Sequence, residues 1–151
     1  MATVASIIPS LNEEKTIRTV IEAIPRDIVK HVMVVNDSSQ DATSTVAKEA
    51  GAVVVSHGRN LGVGAAIKNG YDKGLNLSAE ILVVVAGDGQ HNPREIPLLI
   101  QPILDDDADY VVGDRLSDDS LQDGMPKHRY YANRFLSCLT SRITKLDIKD
   151  S

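Results

Sequence analysis

Ile81-Leu82-Val83-Val84-Val85-Ala86-Gly87-Asp88 is the stretch on which the fold turns. An aliphatic run with no polar alternation suits a strand covered on both faces, central in a parallel sheet. The polar turn after it, Gly87 to Asn92, lies where open α/β sheets bind ligands, outside the carboxyl ends of the strands. Outward from this stretch the same arrangement repeats. Val4 to Ile8 is β-branched, predicts a first strand, and is stopped by Pro9. Val32 to Val35 predicts the second strand, Ala52 to Ser56 the third, and Asp109 to Val112 a fifth.

Helical patterns fill the gaps. Ser10-Leu11-Asn12-Glu13 has the form of a capping box, so a helix is expected to start there. Ile17, Val20, Ile21 and Ile24 continue it as an apolar stripe that ends before Pro25. Asp41 to Ala50 predicts a short helix closed by Gly51, and Val63 to Leu75 a longer one. Arg94 to Leu104 predicts a fourth, in which Pro97 is tolerated only within the first turn. Lys127 to Leu146 predicts a last helix with Tyr131, Phe135, Leu139, Ile143 and Leu146 as its stripe. The β-α alternation predicts a mostly parallel sheet with helices on both faces.

Composition sets the outer limits. A chain of 151 residues that is 42% hydrophobic fits one globular domain, residues 1–151, with its own core. Sixteen Lys and Arg against 21 Asp and Glu give a net charge of -5, which lends a polyanion-coating role no support and leaves room only for a local basic patch; no nucleic-acid partner is expected. The single cysteine, Cys138, excludes an internal disulfide framework and a multi-cysteine zinc site. No stretch reaches the roughly 18 apolar residues of a membrane span. The N-terminus lacks a charged n-region and reads as the first strand, not a signal peptide. A cytoplasmic location is expected.

Each strand end carries its own chemistry. Asp37 follows strand two; Asp88 and Gln90 follow strand four. Carboxylate and amide oxygens at one sheet edge suit a hard cation, magnesium or manganese (Mg²⁺ or Mn²⁺). One carboxylate is a poor cage, which favours a cation shared with substrate phosphates. The alternative is that Asp37 and Asp88 are simply turn and cap residues.

Five segments, each at a strand end and in order, resemble family 2 glycosyltransferases of the GT-A fold. Ile7-Ile8-Pro9-Ser10-Leu11-Asn12-Glu13-Glu14 is similar to I-P-x-Y-N-E-E. Val34-Val35-Asn36-Asp37-Ser38-Ser39-Gln40-Asp41 is similar to V-V-D-D-G-S-x-D. Arg59-Asn60-Leu61-Gly62-Val63-Gly64-Ala65-Ala66 is similar to N-x-G-x-G-x-A. Ala86-Gly87-Asp88-Gly89-Gln90-His91-Asn92-Pro93 is similar to D-A-D-G-Q-H-D-P. Val111-Val112-Gly113-Asp114-Arg115 is similar to V-x-G-S-R. The subgroup resembled is that of the polyprenyl-phosphate (dolichol-phosphate-type) mannosyl- and glucosyltransferases.

The resemblance implies a GT-A-like, Rossmann-like α/β sheet. It implies metal-dependent sugar transfer from a GDP- or UDP-linked nucleotide sugar to an acceptor, a polyprenyl phosphate in the subgroup. Pro9, Leu11, Glu13 and Asp37 would bind the nucleotide. Asp88 and Gln90 would hold Mg²⁺ or Mn²⁺. Asp88 and Arg115 would be the catalytic pair, Arg115 facing phosphate. Such an acceptor places the protein at the cytosolic membrane face. Lys127, Arg134, Arg142 and Lys145 beside the last helix's stripe suit peripheral contact with anionic lipid; the alternative is an ordinary helix packed on the sheet.

Departures from the pattern are Leu11 for an aromatic residue, Asn36 for Asp, Ser38 for Gly, Ala86 for Asp and Asp114 for Ser. In the subgroup a D-x-x-S-G-F-R segment follows the last helix. Here the sequence ends at Lys149-Asp150-Ser151, so a domain cut short on its acceptor side is expected. Three alternatives stand beside this reading. A dinucleotide-binding oxidoreductase is opposed by Ile67, which occupies the place of the third glycine in G-x-G-x-x-G. A nucleotidyltransferase is opposed by the acidic, glycine-free turn after strand one. A non-catalytic nucleotide-sugar-binding or regulatory module is motivated by Ala86.

Overall fold

The computed structural model describes residues 2–113. The chain divides into two units, Met1–Asp109 and Tyr110–Ser151. All the described strands and helices belong to the first. The expected last helix, Cys138, Asp114 and Arg115 lie outside the described residues.

The first unit alternates β1 (Val4–Ser10), α1 (Ile17–Glu22), β2 (Val29–Asn36), α2 (Thr43–Glu49), β3 (Val53–Ser56), α3 (Val63–Asn76) and β4 (Ile81–Val84). A 3-10 turn at Pro93–Glu95 leads into α4 (Ile96–Leu104). The sheet order is β3-β2-β1-β4, and every pairing is parallel. Parallel neighbours need crossovers, and α1, α2 and α3 supply them.

Strand periodicity sorts the core into two layers. Val4 and Ile8 of β1 join Val32 and Val34 of β2 on one face, packed with Ile17, Val20 and Ile21 of α1, Ala47 of α2 and Ile96 and Ile100 of α4. Ala5 and Ile7 face the other way with Met33, Val35 and Ala66 of α3. Both faces of β1 and β2 are therefore buried, as an unbroken aliphatic pattern requires.

Four expectations change. First, β1 does not stop at Pro9; it pairs with β2 through Ser10↔Asn36. Pro9 is tolerated because the ladder to β4 ends at Ile7↔Val84, so its missing N–H interrupts no bond there. Second, Ser10 is not a helix cap. It belongs to the ladder, the chain turns through Asn12 at φ 58, and α1 starts only after Thr16, which makes no side-chain cap bond. Third, β4 is an edge of the described sheet, not its centre: Ile81 and Val83 are buried, while Leu82 and Val84 are half-buried. Fourth, residues 109–112 form no strand. Tyr110 and Val112 are 79% and 66% exposed, and β-propensity expresses itself only on a pleated, half-buried surface. Pro97 does sit in the first turn of α4, where its lack of an N–H costs nothing.

Candidate active site

The ends of β1 and β2 and the β3–α3 loop surround a cleft of about 190 Å³. Pro9 and Leu11 come from the first strand end, Asp37 from the second, and Asn60, Gly62 and Val63 from the loop and the start of α3.

Asp37 ties these three segments together. It is 4% exposed, and its N–H donates to the Ser10 carbonyl at 2.9 Å. Oδ1 accepts from the Leu61 N–H at 2.8 Å and lies 2.7 Å from His57 Nδ1. Oδ2 accepts from the Gly62 N–H at 2.8 Å. Gly62 lies at φ 89, a conformation costly for side chains with a Cβ. Burial pushes the Asp37 carboxyl pKa up. The bonds from Leu61, His57 and Gly62 outweigh that and hold it below the ordinary carboxylate range.

A second set of bonds latches the first two strand-end loops. The Asn12 N–H donates to Ser39 Oγ and the Gln40 N–H to Asn12 Oδ1, both at 2.9 Å. The Glu13 N–H donates to Thr43 Oγ1 at 2.8 Å, and the Glu14 N–H to Asp41 Oδ2 at 3.1 Å. Asn36 takes part through Oδ1, which accepts from the Ser39 N–H at 3.1 Å and from the Ser39 hydroxyl. Burial raises the Asp41 pKa, but bonds from the Thr43 hydroxyl, the Thr43 N–H and the Glu14 N–H lower it further than burial lifts it.

Asp88 and Gln90 are exposed in the turn past β4, where the Gln90 N–H donates to Asp88 Oδ1 at 2.9 Å. This turn sits close to β1 because Gly87 has no side chain: a Cβ there would meet Ser10 Oγ at 2.5 Å. Thr16 Oγ1 joins it from the other side, 2.8 Å from the Gly87 carbonyl and 3.1 Å from Glu13 Oε2. Among the described residues no three His, Cys, Asp or Glu side chains group around a common point. The oxygen donors of Asp88 and Gln90 fit a hard cation that completes its shell with diphosphate oxygens, and fit no self-sufficient cage.

Of the residues expected from sequence, Pro9, Leu11 and Asp37 line the cleft. Glu13 does not; its backbone serves the latch and its carboxylate faces Thr16. Leu11 leaves 41% of its surface exposed, an aliphatic wall where an aromatic residue was the pattern. Arg115 is outside the described residues. The sequence reading missed His57, Asn69 and Thr43 as parts of the site. His57 directly follows a strand end, which is the one signal that marked it.

Residues 6–149 match the family described as Glycosyl transferase family 2. A UDP-N-acetylglucosamine–dolichyl-phosphate N-acetylglucosaminyltransferase of Methanococcus voltae is 32% identical over 96% of this chain and 64% of its own length. A polyprenol monophosphomannose synthase of Mycolicibacterium smegmatis is 31% identical over 72% of this chain and 43% of its own. The chain thus spans less than two thirds of either relative. Among solved structures, glucosyl-3-phosphoglycerate synthase of Mycobacterium tuberculosis superposes with a TM-score of 0.58 at 32% identity, covering 68% of this chain and 40% of that one. The same enzyme has been crystallised with Mn²⁺, UDP and glucosyl-3-phosphoglycerate. The parallel sheet with flanking helices is the GT-A architecture of these enzymes, and the chain belongs to glycosyl transferase family 2.

Proposed function

We propose that this chain binds a nucleoside diphosphate sugar and a divalent cation, and that the protein transfers the sugar to a polyprenyl phosphate. The observation that carries the donor half is the cleft built around Asp37 at the carboxyl end of the sheet, with the Asp88–Gln90 turn brought against β1 by Gly87. Supporting the acceptor half are the lipid-phosphate acceptors named for the Methanococcus and Mycolicibacterium relatives.

In this reading Pro9 and Leu11 contact the nucleotide, Asp37 shapes its pocket, and Glu13 braces the loop beneath. Asp88 and Gln90 hold Mg²⁺ or Mn²⁺, which when bound neutralises charge on the departing diphosphate. Arg115 adds a bidentate phosphate donor. A phosphate acceptor is already anionic, so the transfer needs no side chain to deprotonate it. The site works at the cytosolic membrane face, the donor coming from solution and the acceptor from lipid.

The test is titration of the whole chain with UDP and GDP, with and without Mn²⁺. Asp88→Ala is expected to remove the Mn²⁺-dependent part of the affinity, about tenfold or more, and to leave metal-free binding unchanged. Wild-type affinity in that variant would overturn the metal assignment. Ala86, which removes a carboxylate from the motif, favours a second reading as a binding module. Nucleotide-sugar binding without turnover, indifferent to Asp88→Ala, would select it.

A further inference from the structure

Asp37 is held from behind as well as from the cleft. The His57 ring lies between it and α3: Nδ1 is 2.7 Å from Asp37 Oδ1, and Nε2 is 2.7 Å from Asn69 Nδ2. The side chains of His57 and Asp37 are 5% and 6% exposed. The His57 N–H also donates to the Asn36 carbonyl at 2.9 Å, so the ring's backbone is anchored to the end of β2. One chain of bonds therefore joins β2, the segment past β3, and α3.

The chemistry of the partners orients the ring. A carboxylate only accepts, so Nδ1 carries a proton. The Asn69 amide nitrogen only donates, so Nε2 carries none. With these partners the ring donates from Nδ1 to Asp37 and accepts at Nε2 from Asn69, and it is held at both nitrogens. Helix α3 lies directly on the sheet: a Cβ at Gly70 would meet Ile7 Cγ2 at 2.2 Å and one at Gly74 would meet Leu82 Cδ2 at 2.5 Å. Position is thus passed from the packed helix through Asn69 and His57 to the Asp37 carboxylate. Asp37 in turn fixes the Leu61 and Gly62 amides, and with them the wall that carries Asn60, Gly62 and Val63.

We infer that His57, oriented by Asn69, is a positioning residue that sets the nucleotide wall of the cleft by holding Asp37 as the acceptor for the Leu61 and Gly62 amides. The effect on ligand affinity rests on the donor-site reading above; the effect on the wall does not. Asp37 then serves the nucleotide chiefly through the wall it holds, since three protein groups already occupy its carboxylate.

Three variants of the full chain test this: His57→Leu, His57→Asn and Asn69→Leu. The readouts are ring ¹⁵N shifts, amide hydrogen exchange, and UDP affinity in the presence of Mn²⁺. In the wild type at neutral pH the ring is expected to show a protonated Nδ1 and a bare Nε2. His57→Leu is expected to speed exchange of the Leu61 and Gly62 amides about tenfold beyond any change in the central strands, and to weaken UDP binding to a similar degree. His57→Asn, whose side-chain amide can donate as Nδ1 does, is expected to restore most of both. Asn69→Leu is expected to release the tautomer and give a smaller loss, and it serves if His57→Leu does not fold. Unchanged exchange at Leu61 and Gly62 would overturn the inference. So would a uniform rise across the strands without rescue by Asn, or a wild-type ring protonated on Nε2. If the wild type binds neither UDP nor GDP, the donor-site reading fails, and the exchange and tautomer arms still decide the positioning role.

Discussion

Ser38 stands in the left-handed region at φ 67, where the family pattern has glycine. An L-residue with a Cβ pays roughly 1–2 kcal/mol there, part of which a short polar side chain recovers. Ser38→Gly is therefore expected to raise stability by about 1 kcal/mol, less the added freedom of the unfolded chain, read as the denaturation midpoint at constant m-value. Asp37 and Asp41 make the opposite kind of contribution. Both have folded pKa values below the ordinary 3.8, so their stabilisation is complete above that value and is lost as pH falls through the lower folded ones. Stability is expected to drop as the pH is taken below about 4. Asp37→Asn should remove part of that drop and, by turning an amide donor against the Leu61 or Gly62 N–H, cost about 1–3 kcal/mol at pH 7. Chemical denaturation across pH 2–7 measures both. That Asp37 stands at a strand end was legible from the aliphatic run before it. That it is saturated by protein donors was not, since His57, Leu61 and Gly62 lie 20 to 25 positions away.

At the scale of the element, α3 is the strictest piece. Ala66, Gly70 and Gly74 are its buried residues, and they let the helix lie directly on β1 and β4. Gly70→Ala would raise intrinsic helix propensity by about 1 kcal/mol. The clash with Ile7 reverses the sign, and a net loss of about 1–3 kcal/mol is expected by thermal or urea unfolding. A stabilised Gly70→Ala would show that the helix can lift from the sheet, which would also loosen Asn69 and His57. The bounds of α3 were readable to within a residue, because a helical stripe is local information. The start of α1 was not. The Ser10–Glu13 pattern does match a capping box, but the Asn12, Glu13 and Glu14 N–H groups bond to Ser39, Thr43 and Asp41 instead. A competing set of acceptors on another loop is invisible to any local rule.

For the molecule as a whole, ligand linkage gives the broadest check. A ligand that binds only the folded state stabilises it by RT ln(1 + [L]/Kd), about 2.7 kcal/mol at a hundredfold excess over Kd. UDP with Mn²⁺ is expected to raise the thermal midpoint, and Asp88→Ala to remove the increment that Mn²⁺ adds. A midpoint indifferent to both nucleotides with metal present would count against the donor cleft. Among the described residues no helix is long and apolar enough to cross a membrane.

The sequence by itself determined the layered α/β plan, the parallel sheet and the family. These follow from hydrophobic periodicity and from short segments whose meaning is contained within a few residues. Only the tertiary structure decided that β4 borders the described sheet, that Ser10 continues a strand, and that Asp37 is gripped by His57 and the Leu61–Gly62 turn. The reason is physical: each of those outcomes depends on which distant donor or strand arrives within bonding distance, and that is fixed by packing of the whole, not by the order of neighbouring residues.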